Sequence, residues 1–248
     1  MQYYSQYKQD FIIDLVLNKK QNGTFLEIGA YDGINSSNTY FFEKFRAWNG
    51  ICIEPNPTVV EKLKKNRSCI IVNSCISEKE DIMDFMVCTG YTEMLSGLVN
   101  SYDEKHLNRI KEENKQHGGS YAIIKVPCYT INGVLENNQI FSIDFCSIDT
   151  EGSEFAILKS INFNKFSFST FSIEWNYGNN KEVVLFMQQK GYKVLCRIGC
   201  DIIFVQKNIY PAYLWLKNIR FLNLLVVNKL AQLKSFISSI IRKKNPKV

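Results

Sequence analysis

A chain of 248 residues accommodates one large α/β domain or a domain with an appendage. Hydrophobic residues make up 46% and aromatic residues 13%, enough for a sizeable core, which argues against a disordered or fibrous chain. The net charge of +6 sits at one end: residues 209–248 carry Lys217, Arg220, Lys229, Lys234, Arg242, Lys243, Lys244 and Lys247 and no acid, so the remainder is near neutral, which disfavours a nucleic-acid groove along the body.

In chain order, the N-terminal "MQYYSQYKQDFIIDLVLNKK" is not a secretory signal, because its apolar run is short and Asp14 interrupts it. "TFLEIG" (24–29) reads as a strand, "YFFEKFRA" (40–47) as a helix and "GICIEP" (50–55) as a strand stopped by Pro55. "PTVVEKLKKN" (57–66) reads as a helix with Pro57 in its first turn, and "CIIVNS" (69–74) as a third strand. This alternation predicts a parallel sheet with helices on its faces. "DFMVC" (84–88) has strand character; residues 89–120 are polar and without period and read as an insert or lid. "YAIIKVPCYTI" (121–131), a buried run at about 143–148 and "TFSIEWN" (170–176) read as strands. "INGVLENNQ", "SEFAILKSI" and "NKEVVLFMQQKG" (180–191) read as helices, with Ser153 a cap and Gly191 a terminator. "YKVLCRIG" and "DIIFVQK" suggest a closing hairpin through Gly199. Cys52, Cys69, Cys75, Cys88, Cys128, Cys146, Cys196 and Cys200 form no CxxC pair, and with only two histidines a zinc site is disfavoured. Most lie in apolar runs, as reduced thiols in a cytoplasmic protein do.

The turn after the first strand carries the chemistry. A dinucleotide fold wants G-x-G-x-x-G there; this chain has Glu27, Gly29, Ala30, Asp32 and Gly33, with two carboxylates that would repel a pyrophosphate. They suit a ligand with ammonium, sulfonium and hydroxyl groups and no phosphate, which describes S-adenosylmethionine. Glu54, 21 residues after Gly33 and at the end of the second strand, suits the ribose hydroxyls.

"SQYKQD" (5–10), "FLEIGAYDGINSSNTYFFEK", "WNGICIEPNP", "NR" (66–67), "SGL" (96–98), "IDFCSIDTEGSEFAIL" (143–158) and "DIIFVQK" (201–207) together resemble the FkbM family of S-adenosylmethionine-dependent methyltransferases across residues 5–207. Lys8 stands where that resemblance leads one to expect glycine. It implies a class I methyltransferase fold, a Rossmann-like three-layer sandwich with seven strands, the last antiparallel, and methyl transfer to a hydroxyl of a sugar, glycan or other natural product. Carried over by position, Glu27, Gly29 and Asp32 line the methionine end, Glu54 with Pro55 the ribose, and Ser74–Cys75 the adenine; Ala30, Gly33 and Asn38 complete the expected cofactor set. The family's D-x-E-G-x-E matches Asp149, Glu151, Gly152 and Glu154.

Asp149 follows a buried strand, so it should stand beside the cofactor as base or acceptor-orienting group, with Glu151 and Glu174 as further catalytic candidates. Glu151 and Glu154 are equally read as helix-capping acids, and Glu174 with Asn176 as a loop-facing polar pair. Carboxylates of this kind suit Mg²⁺, although the spacing does not establish a metal. His117 reads as a solvated loop residue and His106 as an exposed helical one.

Ile219, Leu222, Val226, Leu230, Leu233, Ile237 and Ile240 recur at helical spacing, so 209–248 reads as a basic amphipathic helix after a 1–208 catalytic domain. Lys229 and Lys234 argue against a membrane span. The helix suits an anionic membrane surface, placing the protein at the inner face of the membrane, or packs on its own body or a second subunit. Competing functions are methylation of a protein or nucleic acid, a non-catalytic cofactor-binding or membrane scaffold, and a nicotinamide dehydrogenase, the last disfavoured by Asp32 and a missing third glycine.

Overall fold

The structure, a computed structural model, describes residues 2–175 and 180–209. Asn176 and the tail from residue 210 lie outside the described residues, and with them the expected amphipathic helix. The chain to Gln206 forms one compact unit.

In chain order it runs α1 (Gln9–Val16), β1 (Thr24–Ile28), α2 (Tyr40–Arg46), β2 (Asn49–Ile53), α3 (Pro57–Asn66), β3 (Ile70–Val72), β4 (Cys75–Ile76), β5 (Asp81–Cys88), β6 (Gly97–Leu98), α4 (Glu104–His117), β7 (Tyr121–Tyr129), α5 (Ile131–Asn137), β8 (Ser142–Ile148), α6 (Glu154–Ser160), β9 (Ser167–Glu174), α7 (Lys181–Gln189), β10 (Tyr192–Ile198) and β11 (Asp201–Gln206). Seven strands make one sheet in the order β10-β11-β9-β8-β1-β2-β3. Only β11 runs antiparallel to its neighbours β9 and β10. This is the class I methyltransferase architecture that the resemblance implied.

Alternation along the strands divides the core between the two faces of the sheet. Leu26 and Ile28 join one cluster with Ile131, Val134 and Leu135 of α5, Ile157 and Leu158 of α6, and Val183 and Met187 of α7. Phe25 and Glu27 point to the other face, where the Phe42 ring meets those of Trp48 and Phe145 at 4.5 and 5.7 Å. The α3 start is built as its sequence implies: Pro57 opens the helix and the Asn56 side chain accepts from the Thr58 amide at 3.1 Å.

The insert is more ordered than its sequence suggests. β5 begins at Asp81 and pairs with β7 over eight residues, within a second sheet ordered β4-β7-β5-β6. Residues 104–117 form a 14-residue helix capped by Asp103. Its polarity hides the period, since His106 and Ile110 are its only buried residues.

Ahead of the sheet, residues 4–8 form a strap. Asp10 accepts from the Tyr4 and Ser5 amides and the Ser5 hydroxyl, and Ser5 bridges to Ser36. The strap turns into α1 at Lys8, whose φ of 73° is in the left-handed region, which explains why glycine is expected there. Among the described residues no helix is long and apolar enough to cross a membrane, and all eight cysteines are free.

Candidate active site

Strand register sets out the site. Ile28 pairs with Ile53 on one side and Ile148 on the other, and Ile148 pairs with Ile173. The next residue of each strand therefore stands in one row: Glu54, Gly29, Asp149 and Glu174, with Asp201 of β11 opposite Glu174. All of the row but Asp201 lies at the carboxyl ends of parallel strands, where open α/β sheets place their ligands. A cleft of about 430 Å³ opens over it, lined also by Pro55, Ser74, Cys75 and Glu151.

At one end of the row Glu54 accepts from the Tyr31 amide on Oε2 and the Asn56 amide on Oε1, both at 2.9 Å. These bonds fix the carboxylate and leave each oxygen a further lone pair for the cleft. Burial pushes Glu54 up to about 7, against the pull of the two amides. Ser74 is fully buried, lines the cleft, and its hydroxyl has no hydrogen-bond partner among the described residues, so a polar ligand beside it would satisfy it. Gly29 has φ of 84°, and a Cβ there would lie 1.7 Å from the Asp149 carbonyl oxygen. The protein's own neighbouring strand thus demands this glycine, besides any ligand.

Five expected cofactor residues do not line the cleft: Glu27, Ala30, Asp32, Gly33 and Asn38. Glu27 accepts from the Ser37 hydroxyl at 3.0 Å, the Asn38 amide at 2.7 Å, the Thr39 hydroxyl at 2.6 Å and Arg67 at 3.2 Å. Asp32 caps its own turn through the Ile34 and Asn35 amides. Asn38 donates to Ser147, Ala30 is buried, and Gly33 packs against Leu63 and Arg67. These residues build the loop under the cleft. Its hub is Arg67, noted in "NR" (66–67) but given no role from sequence, which also donates to Glu43, the Gly33 carbonyl and the Ser37 and Thr39 hydroxyls while lying over the Phe25 and Tyr40 rings. A lone arginine at a helix end gives no sign of this.

At the other end Asp149, Glu151 and Glu174 can each place one oxygen within 4.8 Å of the others'. Burial, then the neighbouring Glu174, pushes Asp149 well up; burial, then Asp149, does the same to Glu151. Burial, then Glu151, raises Glu174 to about 8. With oxygens this close, Asp149 and Glu174 favour a state in which the two carboxyls share one proton. Three carboxylates at this spacing also suit a hard divalent cation, which would displace that proton.

The D-x-E-G-x-E loop has a physical reading. Glu154 accepts from the Thr150 amide and hydroxyl and the Gly152 amide, so it holds the loop ahead of α6 instead of capping that helix's own amides. Gly152 passes within reach of the Ser101 carbonyl, where a Cβ would sit 2.6 Å from its oxygen. Glu151, at φ 58°, is turned away from capping, and its Oε2 lies 3.6 Å from His106 Nδ1. His106 is therefore not an exposed helical residue: it is 2% exposed and stacked on Tyr102. His117 is exposed, with its ring 4.3 Å from that of Tyr91. Tyr7, Tyr31, Arg109 and Glu113 line the cleft without having been singled out from the sequence.

A family model described as "Methyltransferase FkbM domain" matches residues 27–194, more than half of the chain. No curated protein matches the sequence. Among solved structures, the chain is similar to a precorrin-6y C5,15-methyltransferase from Geobacter metallireducens GS-15, at 12% identity and TM-score 0.41, covering 80% of this chain and 87% of that one. It is also similar to a Pyrococcus horikoshii protein described as an RNA methyltransferase, at 9% identity and TM-score 0.41, covering 80% and 83%.

Proposed function

The chain belongs to the FkbM methyltransferase domain family, and we propose that it moves a methyl group from S-adenosylmethionine to a hydroxyl of a sugar, glycan or other small molecule. The observation that carries this reading is the row along the sheet edge, with a backbone-fixed Glu54 at one end and three clustered carboxyls at the other. Glu54 would hold the ribose hydroxyls, and the orphan Ser74 hydroxyl with Cys75 and Pro55 the adenine side. S-adenosylmethionine supplies a methyl group on a cationic sulfur. A positive charge beside the carboxyls lowers their pKa values and leaves a carboxylate ready to accept a proton. Asp149 and Glu174, sharing a proton, orient the acceptor hydroxyl, and Glu151 accepts its proton as oxygen and methyl carbon meet in line.

Calorimetric titration with S-adenosylmethionine and S-adenosylhomocysteine, with NAD⁺ as control, tests the reading. Micromolar binding of both adenosyl ligands, lost in Glu54→Ala and absent for NAD⁺, is expected, followed by transfer of labelled methyl to members of a sugar panel. A folded protein that binds neither adenosyl ligand would put the scaffold reading ahead.

A further inference from the structure

The insert supplies one wall of the cleft. Gly90–Leu95 is a tight helical turn, and its Tyr91, Glu93, Met94 and Leu95 line the cavity. Tyr91 and Met94 are 63% and 51% exposed, an apolar surface that a ligand in the cleft would cover. Within the insert the turn is tied down: the Thr92 hydroxyl donates to Asn114 of α4 at 2.6 Å, and the Leu95 carbonyl accepts from the Tyr102 hydroxyl at 2.7 Å. Glu93 reaches the other way. Its carboxylate accepts from the Tyr31 hydroxyl and lies 3.9 Å from Lys62 Nζ on α3. The Lys62 side chain is 55% exposed, so water screens that ion pair and the phenol is the stronger link.

Tyr31 stands in the turn after β1 and works in two directions. Its amide donates to Glu54 at 2.9 Å, and its hydroxyl donates to Glu93. Its φ of 48° lies in the left-handed region, which a bulky residue rarely adopts. Such a residue persists where its surroundings over-determine it, and ligand clamps are among the places where this happens. Burial, then the hydrogen bond to Glu93, pushes the phenol above its usual range, so it stays a donor at neutral pH.

Resting on the methyl-transfer reading above, we propose that Tyr31 is a positioning residue that couples Glu54, the ribose-holding carboxylate, to the insert wall at residues 90–95. The amide sets Glu54 and the hydroxyl seats the turn, so one backbone geometry serves both walls. A cofactor ribose on Glu54 holds that geometry and thereby favours the seated turn. The seated turn favours the cofactor by the same factor, because such coupling is reciprocal. The insert's side of the cleft is therefore completed once the cofactor is in place. Tyr31 touches no reacting atom. A phenol that merely packed the insert onto the body would give no response to the cofactor.

Hydrogen exchange of the full-length protein, with and without S-adenosylhomocysteine, tests the link together with calorimetry. In the wild type the ligand should slow exchange of the amides at 90–96. Tyr31→Phe keeps the ring and the amide and removes the hydroxyl. It should lose that slowing and bind S-adenosylhomocysteine about three- to tenfold more weakly, the range expected for one hydrogen bond. Glu93→Ala should do the same. Glu93→Gln still accepts from the phenol and should keep the slowing, with affinity within about twofold of the wild type. Tyr31→Phe combined with Glu93→Ala should bind no worse than either alone. The proposal is overturned if the wild-type amides ignore the ligand, if Tyr31→Phe or Glu93→Ala keeps the slowing, or if the two losses of affinity add. A Glu93→Gln protein that loses the slowing overturns it too, since the Lys62 ion pair would then be the link. Glu93→Ala decides the matter should Tyr31→Phe not fold. A folded wild type that binds no adenosyl ligand is a different result: it removes the methyltransferase reading, and this coupling with it.

Discussion

Two groups of carboxylates lie near one cleft, and they are built differently. Under the cleft, Glu27 and Glu43 are saturated by Arg67 and by loop amides and hydroxyls. Beside the cleft, Asp149, Glu151 and Glu174 face one another and the void. The first group holds the protein together; the second is left available for chemistry at a cost in stability. A carboxylate in a glycine-rich turn is thus not by itself a ligand contact: its partners decide, and sequence does not show partners.

The largest effect follows from breaking the saturated group. Arg67→Ala leaves Glu27 buried and uncompensated, and removing one member of a buried pair costs about 3–5 kcal/mol. The urea midpoint should fall accordingly, and adenosyl-ligand affinity with it, because the 29–39 loop loses its hub. Glu151→Gln, on the open side, should leave the midpoint unchanged or raised. Equal losses in the two variants would erase the distinction between the groups.

Much of the sheet was legible because each central strand is a short apolar run ended by a polar or small residue. That pattern placed Gly29, Glu54, Asp149 and Glu174, each directly after or at the end of such a run. Their alignment in one row is a matter of register, which no single strand encodes. Glu27 and Asp32 match the same sequence motif but point into the loop: Glu27 because partners arrive from Ser37, Thr39 and the distant Arg67, and Asp32 because it caps the Ile34 and Asn35 amides just after it. His106 was misread for a related reason: α4 is so polar that its buried face is set by what docks on it.

Acidity separates the groups on a smaller scale. Glu174 near 8 and Glu54 near 7, with Asp149 and Glu151 also raised, mean that the folded chain keeps protons which the unfolded chain releases above about pH 4.5. Their contribution to stability is fully present below that pH and is lost as pH rises towards 8, by at most about 1.4 kcal/mol per pH unit for each proton. The urea midpoint of the ligand-free protein should therefore fall between pH 5 and pH 8, and Glu174→Gln should flatten the slope. If Mg²⁺ restores the pH 8 midpoint in the wild type and not in Glu174→Gln, the three carboxyls hold a cation in place of the proton.

The smallest effect concerns the strap that touches both groups. Ser5 bridges to Ser36 in the saturated loop, the Tyr7 ring packs on Gly199, and Gln9 hydrogen-bonds Asp201, next to Glu174 in the row. Lys8 is its pivot, held at φ 73° without a side-chain cap. Holding a non-glycine residue there costs about 1–2 kcal/mol, while glycine loosens the unfolded chain by about 0.4–1 kcal/mol. Lys8→Gly should then raise stability by about 0.5–1 kcal/mol in a urea titration. Adenosyl-ligand affinity should stay put, because the anchors on either side of the pivot are unchanged. A drop in affinity without a loss of stability would mean that the strained pivot itself presses Tyr7 into the cleft, and that strap and acids act as one unit.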